Sequence, residues 1–340
     1  MNLDHGLDMT TAPSSDMRIH DSILDAIGNT PLVKVSRIAL RGEATLLAKC
    51  EFLNPGGSVK DRIGVAIIEE AERSGRLGPG GTIVEGTSGN TGIGLAMAAA
   101  LKGYRSILVM PDKMSAEKIA VLEAIGAEVV ITPTQVEHDD PRSYASVAKR
   151  IARETPGAVF ADQFENPVNP LTHYNGTGPE IWRDTAGRVT HVVACLGTGG
   201  TISGIGRYLK RQNEAIRIIG VDPVGSVYHG HYYNSDCIKS GSYLLEGMGE
   251  DQVPANLDFS VIDQVVQVND KESFLMAREL SRKEGMFCGG TSGAAVAAAV
   301  RIHEDCRPDD VMVVLLPDGG ARYMNKLYSD AWMTEHGFLK

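Results

Sequence analysis

One lysine, a set of glycine-rich turns and the hydroxyls within them are the groups through which this chain can do chemistry. Lys60 stands in NPGGSVKDR, Asn54 to Arg62, after a Pro-Gly-Gly turn and at the first turn of a predicted helix. The positive end of the helix dipole disfavours a protonated amine there, which suits a nucleophile and base. A solvated surface lysine is spelled the same way, so Lys60 gains weight only from its company. EGTSGNTGIG, Glu85 to Gly94, offers Thr87, Ser88, Asn90 and Thr91, while Gly89 and Gly92 let backbone N–H groups approach a ligand. A helix follows at once, and such a turn binds carboxylate or phosphate. Helix capping alone needs one of these polar residues and not four. CLGTGGTISGIG, Cys195 to Gly206, resembles a phosphate cup over Gly197, Thr198, Gly199, Gly200 and Thr201. CGGTSGAA, Cys288 to Ala295, places Thr291 and Ser292 ahead of another predicted helix.

These turns sit where apolar runs hand over to helical patterns, which is where open α/β sheets hold their ligands. Strands are predicted at Thr45–Cys50, Thr82–Glu85, Arg105–Met110, Ala127–Ile131, His191–Leu196, Arg217–Val221 and Val311–Leu316. Helices are predicted at Val59–Arg73, Thr91–Leu101, up to Ala124, and at Ile202–Gln212, Lys271–Lys283 and Gly293–His303. Continuous Val/Ile/Leu runs alternating with helices imply parallel sheets with right-handed crossovers. The expectation is a two-domain α/β fold, each domain a twisted, mostly parallel sheet flanked by helices, with a cleft between them. Residues 50–165 would form the smaller, mobile domain, and 21–49 with 166–340 the larger. Residues 1–20, rich in Asp, Ser and Thr, read as a flexible arm.

At 340 residues with 43% hydrophobic and 22% charged content, the chain has material for a sizeable core. A formal charge of −10 disfavours nucleic acid or an anionic membrane as partner. Five scattered cysteines without a C-x-x-C argue against a disulfide framework or structural zinc, and no metal is expected. The polar N-terminus lacks the basic and apolar regions of a signal peptide, and the expected compartment is the cytoplasm. The Gly197 turn also admits a nicotinamide dinucleotide, with Asp222 as the ribose partner, but that reading leaves Lys60 and TSGNTG unexplained.

SVKDR, TSGNTG and GTGGT, in this order and at these separations, resemble the fold type II pyridoxal-phosphate enzymes, from Ile27 to the C-terminus. AKCEFLNPGGSVKDR, MPDKMSAEKIAVLEAIGAEVV and EGMGEDQVP are most similar to the catalytic core of cystathionine β-synthases, with cysteine synthases next. The resemblance implies pyridoxal 5′-phosphate in the cleft, covalently held by Lys60. Asn90 would meet the ring 3′-oxygen, Gly197 to Thr201 the phosphate, and Thr291, with Ser292, the pyridine nitrogen. Thr87, Ser88, Gly89, Thr91 and Gln163 would take the substrate carboxylate, with Gly247 and Gly249 near the incoming nucleophile. The implied reaction is β-replacement on L-serine by L-homocysteine, giving L-cystathionine and water. The alternative is O-acetylserine, or serine, with sulfide, giving L-cysteine. Phe164 and Glu250 stand where cystathionine synthases often carry Tyr, and Gly86 where Pro is common. An ion pair from Glu250 to the homocysteine amino group is one consequence. No haem is expected, because no Cys precedes Cys50. The implied partners are small-molecule amino-acid and thiol substrates, and the implied assembly is a homodimer.

Overall fold

The computed structural model describes residues 19–40, 42–87, 89–136 and 140–340. The arm expected over residues 1–20 therefore lies outside the described residues except for Ile19 and His20, and Ser88 lies outside them as well. The chain runs β1 (Leu32–Lys34), β2 (Thr45–Cys50), α1 (Lys60–Arg73), β3 (Thr82–Gly86), α2 (Asn90–Lys102), β4 (Arg105–Pro111) and α3 (Ala116–Ile125). It continues through β5 (Glu128–Thr132), α4 (Tyr144–Glu154), β6 (Ala158–Phe160), α5 (Val168–Asn175), α6 (Thr177–Asp184), β7 (His191–Cys195) and α7 (Gly200–Gln212). The last part holds β8 (Arg217–Pro223), α8 (Tyr228–Tyr232), β9 (Gln264–Val268), α9 (Asp270–Glu279), α10 (Gly290–His303), β10 (Val311–Leu316) and α11 (Asp330–Glu335).

Among the described residues the strands form two sheets, one of six strands in the order β1-β2-β10-β7-β8-β9 and one of four in the order β5-β4-β3-β6. All pairings are parallel except β1 against β2. The central strands are buried on both faces, as their unbroken apolar spelling requires: β3 is buried throughout, and β10 is buried from Met312 to Leu316. Helix α10 covers the large sheet with a run of alanines, and α1 packs on α2 where Gly64 and Gly94 meet. A Cβ on Gly64 would stand 2.3 Å from the Gly94 carbonyl carbon, so only glycine permits this approach. No helix among the described residues is long and apolar enough to cross a membrane.

Several predicted boundaries move, and two of the shifts bear on chemistry. The helix predicted from Ile202 starts at Gly200, and the one predicted from Gly293 starts at Gly290. Gly200, Thr201, Thr291 and Ser292 are thus first-turn residues rather than parts of a preceding loop. The single helix predicted over Lys271–Lys283 ends at Glu279 and passes into a π turn at Leu280–Glu284, closed by left-handed Gly285.

The sheets are joined by a buried ionic network. Lys49 of β2 is fully buried, and its Nζ donates to Glu180 of α6 at 2.6 Å and to the Thr30 carbonyl at 2.5 Å. Arg62 of α1 donates to both oxygens of Glu180, each at 2.7 Å, and to both oxygens of Glu51, at 2.7 and 2.8 Å. Such bidentate geometry is what lets guanidinium and carboxylate remain charged inside a protein.

Candidate active site

The C-terminal ends of β3, β7 and β10 converge on a cavity of about 690 Å³ lying between the two sheets. Its lining includes Lys60, Thr87, Asn90, Thr91, Gln163, Gly197, Thr198, Gly199, Thr201, Gly247, Gly249, Glu250 and Thr291. Residues up to 231 positions apart in sequence thus share one wall. Gly89, Gly200 and Ser292 stand behind that lining, and Ser292 is fully buried with its Oγ unpartnered.

Helix termini explain the convergence. The helices α1, α2, α7 and α10 begin at the cavity, and none of the four has a side-chain cap. Caps alone do not mark the cavity: α4, whose Ser143 and Tyr144 also line it, is capped by Ser143, while α5, α6 and α8 away from it have no side-chain cap. Each helix start leaves several N–H groups without an intrahelical acceptor, and a missing cap leaves them for a ligand. The Thr87 hydroxyl does not serve as the α2 cap and instead accepts the Gly89 N–H at 3.0 Å.

Lys60 is the first residue of α1, and its Nζ lies deep in the protein with one hydrogen bond, 3.5 Å to Thr198 Oγ1. Burial lowers its pKa to about 8, against the opposing pull of the Asp318 carboxylate. Desolvation dominates that shift, in the same direction in which the start of α1 acts on an ammonium. The glycine cup is built by exclusion. A Cβ on Gly197 would stand 2.7 Å from the Gly247 carbonyl oxygen, and one on left-handed Gly199 would stand 2.5 Å from Leu257 Cα. Thr201 Oγ1 lies 3.2 Å from His173 Nε2, and burial keeps that imidazole neutral.

The opposite wall is held by a second net. Thr91 Oγ1 donates to Gln163 Oε1 at 2.5 Å, and Gln163 Nε2 donates to the Gly86 carbonyl at 3.3 Å. Asn169 Nδ2 donates to the Gln163 carbonyl at 2.8 Å and to Thr198 Oγ1 at 3.0 Å, which ties the cup to the carboxylate loop. Asn90 Nδ2 donates to Asp318 Oδ2 at 2.9 Å, while Arg322 donates to Asn90 Oδ1. Asp318 also accepts from Tyr323 at 2.6 Å and from Thr291 Oγ1 at 3.5 Å. Asp318 and Arg322 escaped the sequence reading. Their signal was the PDGG turn directly after VMVVLL, a strand end like the others. Asp222 is buried at the end of β8, accepts the His229 N–H at 2.9 Å and does not line the cavity.

These residues fit pyridoxal phosphate. The bare backbone of the cup and the uncapped start of α7 suit a phosphate, and a buried amine of lowered pKa suits its aldehyde. Gly200→Ala tests the cup: the new Cβ would meet Asn169 Oδ1 at 2.0 Å and push away the amide that holds both Thr198 and Gln163. Overpacking of this kind costs about 1–3 kcal/mol. The expected result is weaker retention of pyridoxal phosphate in equilibrium dialysis, with a lowered melting temperature. Wild-type retention would remove the cup from the site.

The sequence matches the family described as pyridoxal-phosphate dependent enzyme over residues 23–318. It is 49% identical over 325 residues to a cystathionine β-synthase of Apis mellifera, covering 95% of this chain and 64% of that protein. It is also 49% identical to the cystathionine β-synthase of Rattus norvegicus, over 97% of this chain and 59% of that one. The chain thus spans about three fifths of these relatives. A cysteine synthase B of Pseudomonas aeruginosa is 42% identical over 90% of this chain and 96% of its own length. The crystal structure of O-ureido-L-serine synthase superposes with a TM-score of 0.85 at 36% identity, covering 93% of this chain and all of that one. With the amine, cup and uncapped helix starts gathered in one cavity, the chain belongs to the family of pyridoxal-phosphate dependent enzymes.

Proposed function

We propose that the protein catalyses β-replacement, condensing L-serine with L-homocysteine to L-cystathionine and water. The observation that carries this reading is the shared cavity, in which the Lys60 amine faces both the glycine cup and the Thr87–Thr91–Gln163 wall. Lys60 would hold the cofactor, and the first turn of α7 with Thr198 and Thr201 would take its phosphate. Asn90 and Thr291 would face its ring. Once bound, pyridoxal phosphate supplies an electron sink for negative charge developing at the substrate Cα.

The remaining work falls to the side chains. Thr87 and Thr91, with the Gln163 amide, bind the substrate carboxylate and fix the Cα–H bond relative to Lys60. Lys60, with a pKa near working pH, removes the Cα proton. It passes that proton to the departing β-oxygen, so that hydroxide leaves as water. It then takes the thiol proton as the carbon–sulfur bond forms and returns it to Cα. One amine therefore moves both protons, and the reaction consumes none. A neutral hydroxyl from Thr291 at the ring nitrogen of bound cofactor would leave that nitrogen unprotonated and would favour elimination over transamination.

Two features favour a second reading, in which O-acetylserine and sulfide give L-cysteine. Phe164 lines the cavity without a hydroxyl, and the chain covers nearly the whole of a cysteine synthase B. Turnover on serine plus homocysteine, measured beside O-acetylserine plus sulfide, separates the two. Absence of cystathionine from the first pair ends the preferred reading. A cytoplasmic homodimer belongs to the same proposal, and sedimentation of the purified chain reads the dimer.

A further inference from the structure

Beside the main cavity lies a smaller chamber of about 90 Å³, and the two share Gly86, Tyr144, Phe164, Glu250 and Asp251 in their walls. Carboxylates dominate its far side: Glu85, Asp162 and Glu165 join Glu250 and Asp251, with Lys149 as the cation in the lining. Glu85 is the last residue but one of β3, which is buried throughout. It is 1% exposed, and its Oε2 has no hydrogen-bond partner. An unpaired carboxyl oxygen inside a protein is costly unless something arrives to meet it.

The acidic groups also disturb one another. Burial, then the charge of Asp162, pushes Glu85 up to about 8, against hydrogen bonds to its carboxyl from the Gln163 and Asp162 backbone and the Gln163 side chain. Burial, then Asp251, pushes Glu250 up to about 7, with Lys113 opposing. Asp162 is raised by burial against Lys149, and Glu165 adds to the rise. The Tyr144 hydroxyl is held protonated by burial and by the charges of Glu250, Glu85 and Asp251, so that ring stands among them at the boundary of the two cavities. A cation placed in the chamber would relieve every one of these repulsions.

Glycine at 86 makes the arrangement possible. A Cβ there would stand 2.9 Å from Tyr144 Cδ2, so a larger residue would displace the ring that forms the shared wall. Lys113 lines the main cavity, close enough to influence Glu250, and offers a positive charge where the chamber offers negative ones. This pairing offers a partner to each of the two charged groups that an amino acid carries on its Cα and has no counterpart in sulfide.

Resting on the β-replacement reading, we propose that the chamber walled by Glu85, Asp162 and Glu250 is the subsite for the α-ammonium of an amino-acid thiol nucleophile. The nucleophile's carboxylate then faces Lys113, and its thiol points back toward the substrate β-carbon. Specificity for an amino-acid thiol over sulfide is written into the far side of the chamber rather than into Glu250 alone.

The test compares L-homocysteine with 4-mercaptobutanoate, which keeps thiol and carboxylate but lacks the amino group. Wild-type holoenzyme with serine is expected to favour homocysteine at least tenfold in kcat/KM, mainly through KM. Glu85→Gln and Asp162→Asn, each near-isosteric, are expected to bring that ratio toward one. Calorimetric binding of the two thiols without serine is expected to show the same preference and the same collapse. A ratio unmoved in both variants, or equal binding of the two thiols by wild type, overturns the subsite. Failure of the β-replacement reading looks different: neither thiol is consumed, while the calorimetric preference still decides the chamber. Should Glu85→Gln fail to fold, Asp162→Asn, on a half-buried carboxyl, decides alone.

Discussion

Lys60→Ala is expected to reduce turnover by about three orders of magnitude or more, because on the proposed reading it removes both the covalent anchor and the proton carrier. The fold should survive. Lys60 contributes one long hydrogen bond to Thr198, and its ammonium is held in a setting that disfavours charge, so its loss costs the native state little. The thermal midpoint of the cofactor-free variant should therefore equal or exceed that of the cofactor-free wild type. Lys113 and Lys326 also line the cavity, which makes borohydride trapping with peptide mapping the deciding measurement. A label on either of those lysines, or unchanged turnover, removes Lys60 from its role. The pH dependence adds an independent readout. The neutral amine is the nucleophile, and the pKa is lowered to about 8, so covalent loading of cofactor-free protein should accelerate as pH rises and level off above about 8. An ordinary surface lysine would keep accelerating toward pH 10 or so. Absorbance of the loaded cofactor follows both curves.

What the sequence made legible follows from what each feature depends on. TLLAKC, HVVAC and VMVVLL are strands because continuous apolar runs of that length must be buried on both faces, and a parallel sheet supplies this. β1 and β6 are three residues each, too short for a pattern, and exist because a longer neighbour offers a free edge. The QVVQV of β9 was missed for a different reason: it is an edge strand with mixed burial, paired only to β8. At the site, glycine runs read as loops although Gly200 and Gly290 already belong to helices. Helix starts left uncapped for a ligand look like turns in sequence.

Lys60 and Asn90 each stand in a local motif that can be read from sequence, and both line the cavity. Asp318 and Arg322 cannot be read that way, because their meaning lies in bonds to Asn90 made across 228 and 232 positions. Glu85 is the extreme case. It spells one polar residue inside a short strand, and its isolation depends on β6, α4 and the loop holding Glu250 closing around it. The same separation in sequence hides the buried ions that join the two sheets.

Glu180→Ala is expected to destabilise the protein by about 3–5 kcal/mol, the cost of stripping a partner from buried charges. Glu180 is the hinge of the network: one oxygen meets Arg62, the other meets both Arg62 and Lys49. Arg62 would retain Glu51, but the fully buried Lys49 would keep only the Thr30 carbonyl and Asp184, whose carboxylate is 4.0 Å away. The damage should therefore appear as loss of stability with the wild-type cofactor chemistry retained in the folded fraction. Glu180→Gln separates charge from shape, since an amide can accept from Lys49 but brings its own donors against Arg62; it should fall between the two. Acid provides the same measurement without mutation. Hydrogen bonds from Arg62 and Lys49 outweigh burial and hold the Glu180 carboxyl at about 2, below its ordinary 4.5. A depressed folded-state pKa stabilises the native state above the unfolded value, and that contribution is lost as pH falls from about 4.5 toward 2. Wild type should lose stability across that window more steeply than Glu180→Gln, which has no carboxyl there to protonate. Parallel acid profiles for the two proteins would show that the network contributes packing rather than charge.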